Sequence, residues 1–118
     1  MTRKDRFYNQ AKQEGYRTRS AYKLKQLDEE SGLFGPGNTV VDLGAAPGGW
    51  LQVAAEKVGE NGTVIGVDFQ RIEQLEDVPA AVELVRGDMT EDDTKADVRD
   101  VAGGDVDVVI SDMAPNMT

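Results

Sequence analysis

Four short runs of β-branched and apolar residues divide the second two-thirds of this chain: Thr39–Leu43, Thr63–Asp68, Ala81–Val85 and Asp105–Asp112. The β-branched, apolar run Thr39–Leu43 suits a strand buried on both faces, as in a parallel sheet, better than a half-exposed strand, which alternates polar and apolar residues. The stretches between them are helix-compatible: Trp50–Val58, the short polar segment after Asp68 as far as Asp77, and Thr94–Val101. Strands alternating with helices predict βαβ units and right-handed crossovers. The fold class expected is therefore α/β, a doubly wound parallel sheet whose ligands bind beyond the carboxyl ends of the strands.

Upstream the pattern is helical. Residues 3–14 are polar and predict a helix broken at Gly15. A second helix is predicted over Ser20–Glu30, with Ala21, Tyr22, Leu24 and Leu27 forming a partial apolar stripe and Gly32 supplying a left-handed cap. Gly35-Pro36-Gly37-Asn38 reads as the turn into the first strand. This divides the chain into a helical segment, 1–38, and a sheet-forming region, 39–118.

Charge sharpens that division. Residues 1–25 hold eight Lys/Arg and two Asp/Glu, whereas residues 26–118 hold five and twenty, within a net charge of −9. The basic arm suits phosphate contacts. The Asp-rich remainder suits a protein that works in concentrated salt, where self-repulsion is screened. With no Cys and no His among its 118 residues, the chain cannot form disulfides, the usual zinc sites, or Ser-His and Cys-His catalytic pairs. No apolar run approaches the ~18 residues of a membrane span, and the N-terminus lacks the apolar core of a signal peptide. A cytoplasmic location is expected, with no membrane partner and no metal.

The candidate chemistry lies where strands end. Asp42 sits within the first strand; Asp68, Asp88 and Asp112 sit at or just past the ends of the next three. In a doubly wound sheet these ends face one crevice. A lone Asp after a strand more commonly starts a turn or caps a helix; three at matching positions point to a site. Asp68 follows Gly44 by 24 residues, close to the ~20-residue spacing of a glycine loop and a ribose-binding acid. The loop Gly44-Ala45-Ala46-Pro47-Gly48-Gly49 allows close backbone approach. It is not GxGxxG and no Walker Lys-Ser/Thr follows, which argues against NAD and ATP. Trp50, the only tryptophan, is either core or a pocket wall.

Three strings in order, YRTRSAYKL (16–24), VVDLGAAPGGW (40–50) and SDMAPNMT (111–118), resemble the FtsJ-like (RlmE type) ribosomal RNA large subunit 2′-O-ribose methyltransferases. The resemblance implies a Rossmann-like S-adenosyl-L-methionine-dependent methyltransferase fold, of which the chain holds the first four strands and the N-terminal helices. It also implies methyl transfer to a ribose 2′-hydroxyl of RNA, that of a uridine in large-subunit (23S) ribosomal RNA. By the same resemblance Gly48 and Trp50 contact the cofactor, Asp68 binds its ribose and Asp88 lies beside its adenine. Asp112 serves both the methionine end of the cofactor and catalysis, and Lys23 is the first lysine of a Lys-Asp-Lys-Glu catalytic set. Such a lysine either takes the hydroxyl proton or steadies the alkoxide.

Family members continue past the position of Thr118, so the second lysine and the glutamate are expected beyond it. The chain then reads as a fragment, inactive alone, with DVVIS an unpaired apolar edge. A transfer-RNA methyltransferase and a non-catalytic module holding cofactor and RNA are the alternative readings. A nicotinamide oxidoreductase is disfavoured by the absent GxGxxG and the presence of SDMAPN.

Overall fold

The computed structural model describes residues 15–112. The helix predicted over 3–14 and the residues after Asp112 lie outside these. Seven elements follow in order: α1 (Ser20–Ser31), β1 (Thr39–Leu43), α2 (Gly49–Val58), β2 (Thr63–Asp68), β3 (Ala81–Arg86), α3 (Asp92–Ala102) and β4 (Val108–Ser111). The four strands form one sheet of order β3-β2-β1-β4, parallel throughout. The chain winds outward from β1 to β3, then returns across the sheet to place β4 on the other side of β1.

Because successive strand residues point to opposite faces, the apolar runs supply two cores. Val40 and Val64 pack with Leu51, Ala54, Ala55 and Val58 of α2 on one face. Val41, Ile65, Val67 and Val85 pack with Val98 of α3 on the other. Leu51 lies over Gly66, where a β-carbon would collide with it, so β2 has a glycine at its centre.

Helix α1 packs on α2 through Ala21 and Leu24, which join Tyr16 and Val53 in a small core of their own. The predicted stripe is narrower than expected, since Leu27 is exposed. As predicted, Gly32 ends the helix at φ 64°, its amide donating to Asp28 O at 2.7 Å. The Asp28 carboxylate then takes the Phe34 amide at 2.9 Å and pairs with Lys57 of α2 at 3.5 Å, fixing the turn into β1.

Two expectations fail. Residues 69–77 are not helical. Ile72 and Leu75 are buried at a spacing of three, which mimics a helix stripe, but the carbonyls of Glu73 and Gln74 bond to Arg17. Strand β4 is also shorter than Asp105–Asp112, because pairing with β1 begins at Val40↔Val108. Asp107 instead closes off the start of β1, bonding the Thr39 carbonyl with its amide (2.9 Å) and the Thr39 amide with its carboxylate (2.8 Å). Val109 on the outer strand is 61% exposed, in keeping with the apolar edge expected there.

Candidate functional site

The glycine loop between β1 and α2 is anchored to the end of β2 at three successive amides. Gly44 and Ala45 donate to the Val67 carbonyl at 2.8 and 3.1 Å, and Ala46 donates to Asp68 Oδ2 at 2.9 Å. The turn needs left-handed backbone at Gly44 (φ 71°) and Gly48 (φ 117°), positions that disfavour a side chain.

Two clefts open on the carboxyl ends of the strands and share Gly44. One, about 400 Å³, lies between Asp68-Phe69-Gln70 and Gly87-Asp88-Met89-Thr90, within the size range of small-molecule sites. The Phe69 ring beside it is 70% exposed. The other cleft is narrower and is lined by Asp42, Asp112, Trp50 and the loop from Gly44 to Pro47, with Thr18 and Ser20 on its far wall.

The four strand-associated acids have different surroundings. Asp68 is half-buried and already accepts two amides, Ala46 at Oδ2 and Gln70 at Oδ1, the latter at 2.9 Å. Asp88 is exposed; its Oδ1 accepts both the hydroxyl (2.7 Å) and the amide (2.8 Å) of Thr90, which hold its carboxyl below the ordinary carboxylate range. Asp112 is exposed at the end of β4. Asp42 is only 1% exposed, and neither carboxylate oxygen has a hydrogen-bond partner among the described residues. Burial pushes its pKa up to about 7, and the charges of Asp112 and Asp68 add to the shift. A buried carboxyl without a partner is costly.

The structure brings Trp50, Asp112, Asp68 and Asp88 to the two clefts. Trp50 serves the core as well, its ring packing on the α1–α2 cluster and its indole N–H donating to the Ser20 carbonyl at 3.1 Å. Gly48 is buried and lines neither cleft; it lies beneath Arg17, whose Nη1 would be 2.8 Å from an added β-carbon. Lys23 is exposed on α1, three residues beyond Ser20 and so on the same helix face. No group of three or more acidic side chains among the described residues is placed to hold a metal ion, and none of their helices is long and apolar enough to cross a membrane.

Sequence reasoning missed Asp42, Thr18 and Ser20 as pocket walls. The one available signal was a carboxylate inside a run of β-branched residues, two positions before the glycine loop begins at Gly44, where an apolar residue was due.

Comparison with known proteins agrees with this geometry. The model of the FtsJ-like methyltransferase family matches residues 16–118. The chain is 66% identical over its whole length to the ribosomal RNA large subunit methyltransferase E of Haloarcula marismortui, and 67% identical to that of Haloquadratum walsbyi. It covers 47% and 46% of those proteins, so it spans about half the length of the curated relatives it matches. A crystal structure described as a ribosomal RNA methyltransferase from Plasmodium falciparum superposes with a TM-score of 0.70 at 25% identity, over 86% of this chain and 59% of that one. The family match runs from Tyr16 to Thr118, across the glycine loop and all four strands, and the chain belongs to the FtsJ-like methyltransferase family.

Proposed function

We propose that this chain carries the cofactor site of an S-adenosylmethionine-dependent methyltransferase that acts on a ribose 2′-hydroxyl of large-subunit ribosomal RNA. The observation that carries the reading is Asp42. Its buried carboxylate lacks a partner among the described residues, shares a pocket with Asp112, and lies beside a loop ordered by Asp68. Such a site favours a cation. The methionine end of S-adenosylmethionine carries an ammonium and a sulfonium, whereas the pyrophosphate of a nicotinamide dinucleotide would bring negative charge against three acids.

The residues present fit the rest of this cofactor. Asp68 has lone pairs left for ribose hydroxyls, Asp88 stands across the wider cleft for the adenine edge, and Phe69 and Met89 offer it apolar walls. Trp50 and Asp112 wall the methionine end. When bound, the cofactor supplies an electrophilic methyl group for in-line displacement by oxygen. Lys23 supplies an amine on α1 to take the hydroxyl's proton or steady the alkoxide's charge, and other Lys and Arg side chains of the basic arm, residues 1–25, meet RNA phosphates. The names of the haloarchaeal relatives support ribosomal RNA as the substrate.

The test is calorimetric titration of the chain with S-adenosylmethionine in molar KCl, with NAD as control. Uptake of the first and not the second is expected, weakened in Asp42→Asn and Asp68→Ala. Equal binding of both, or of NAD alone, by a folded chain would sink the reading.

A further inference from the structure

Arg17 belongs to a basic stretch suited to phosphate, yet its half-buried guanidinium is taken up by the protein's own backbone carbonyls. Nη1 donates to the Pro47 carbonyl at 2.8 Å and to the Glu73 carbonyl at 2.7 Å, and Nη2 donates to the Gln74 carbonyl at 2.8 Å. These carbonyls lie on two different loops. Pro47 is on the glycine loop that walls the narrow cleft. Glu73 and Gln74 follow the Asp68-Phe69-Gln70 wall of the wider one. A planar fork of five donors can reach three carbonyls at once, which a lysine ammonium on a flexible stem cannot match.

The strap that bears Arg17 is itself docked on α2. The Arg17 amide donates to Gln52 Oε1 at 2.7 Å, and Gln52 Nε2 donates to the Gly15 carbonyl at 3.1 Å. The two glycines that close the loop leave room for this strap. A β-carbon on Gly48 would meet the guanidinium, and one on Gly49 would collide with the Thr18 hydroxyl. The Gly48-Gly49 pair therefore fits the strap at least as closely as it fits any ligand.

We propose that Arg17 is a positioning residue for the cofactor rather than an RNA contact: it clamps both cleft-walling loops to the strap at 15–20, so that cofactor binding and the order of the strap are coupled. This rests on the cofactor reading above. Coupling makes a sharp demand, because linkage is reciprocal. Filling the clefts must steady residues 15–20, although only Thr18 and Ser20 of that strap line a cleft.

The experiment is titration of S-adenosylmethionine into the unaltered chain, Arg17→Ala and Arg17→Lys. Amide hydrogen exchange on the unaltered chain, with and without the cofactor, accompanies it. Both variants are expected to bind roughly tenfold more weakly, the lysine failing to rescue. In the unaltered chain, saturation is expected to slow exchange across 15–20 and 71–76 as well as 44–49. Unchanged affinity in folded Arg17→Lys, or protection confined to 44–49, overturns the clamp. Should the variants not fold, the exchange measurement decides alone. If the unaltered chain takes up no cofactor, the cofactor reading falls and this inference with it; if it binds and Arg17→Lys binds equally, only the clamp falls.

Discussion

The carboxylate of Asp68, at the end of β2, holds the amide of Ala46 in the middle of the glycine loop at 2.9 Å. One acid therefore serves two purposes: it shapes the loop and it presents oxygen to the wider cleft. The spacing of Asp68 from Gly44 reflects this contact as much as any ligand.

Replacing Asp68 by Ala should accordingly do more than lower cofactor affinity. The amides of Ala46 and Gln70 both lose their acceptor. The first of these bonds is half-buried and the second exposed, and a typical hydrogen bond contributes roughly 0.5–1.5 kcal/mol net. We expect chemical denaturation to show a loss of that order in Asp68→Ala. Asp68→Asn should lose less, because its one carbonyl can still serve one amide. Equal stability of Asp68→Ala and the unaltered chain would mean that the loop does not depend on this contact.

Asp42 sets a pH dependence whose sign can be worked out. Its pKa is raised by burial first, then by Asp112 and Asp68, from 3.8 to about 7. The folded chain therefore holds a proton that the unfolded chain releases at lower pH. The unfolded state binds fewer protons between about pH 4 and pH 7, so this carboxyl makes stability fall as pH rises through that window. The effect is on the order of a few kcal/mol. Asp42→Asn should flatten the decline across this window. Thermal unfolding from pH 4 to pH 8 at fixed salt checks it; parallel curves for the two proteins would contradict the assignment.

A cationic ligand should reverse this behaviour. An ammonium or sulfonium beside Asp42 favours the carboxylate, so uptake should release a proton near neutrality. Calorimetry in two buffers of different ionisation enthalpy measures that number directly. A proton count of zero at pH 6.5, or no change in it in Asp42→Asn, would place the positive charge elsewhere.

Most of the fold was legible because its strands are strongly biased. TVVDL reads as a buried parallel strand and TVIGVD as a second strand, and both occupy the predicted residues, Thr39–Leu43 and Thr63–Asp68. Gly32 was legible as a cap because only a glycine readily takes φ 64° there. What escaped depends on long-range partners. Ile72 and Leu75 have helical spacing, and only the pull of Arg17 on the carbonyls beside them shows otherwise. In the same way, an arginine in a basic arm reads as a phosphate partner until its three carbonyls are seen. The crevice at the strand ends was expected from topology alone, but the orphaned carboxyl of Asp42 depends on side chains from β1, β4 and the strap meeting in one place.

Lys23 provides a separation of roles. It is exposed and lines neither cleft, so Lys23→Ala should bind S-adenosylmethionine within about twofold of the unaltered chain, a difference of roughly 0.4 kcal/mol. A loss of tenfold would put Lys23 in the cofactor site and remove the argument for reserving it for the ribose hydroxyl.

Gly49 and Thr18 offer a test of the strap that needs no ligand. A β-carbon at Gly49 would collide with the Thr18 hydroxyl and press on its amide at 3.1 Å. Overpacking of this kind typically costs 1–3 kcal/mol, so Gly49→Ala should destabilise the chain by about that much. Thr18→Ala removes the atom in the way, and by itself loses only its contact with the Ser20 hydroxyl at 3.0 Å. The double variant should therefore recover part of the loss, giving a coupling energy of order 1 kcal/mol in a double-mutant cycle. Strict additivity would mean that the strap does not rest on the glycine loop, and the contact through which the basic motif meets the cofactor loop would have to be sought at Arg17 alone.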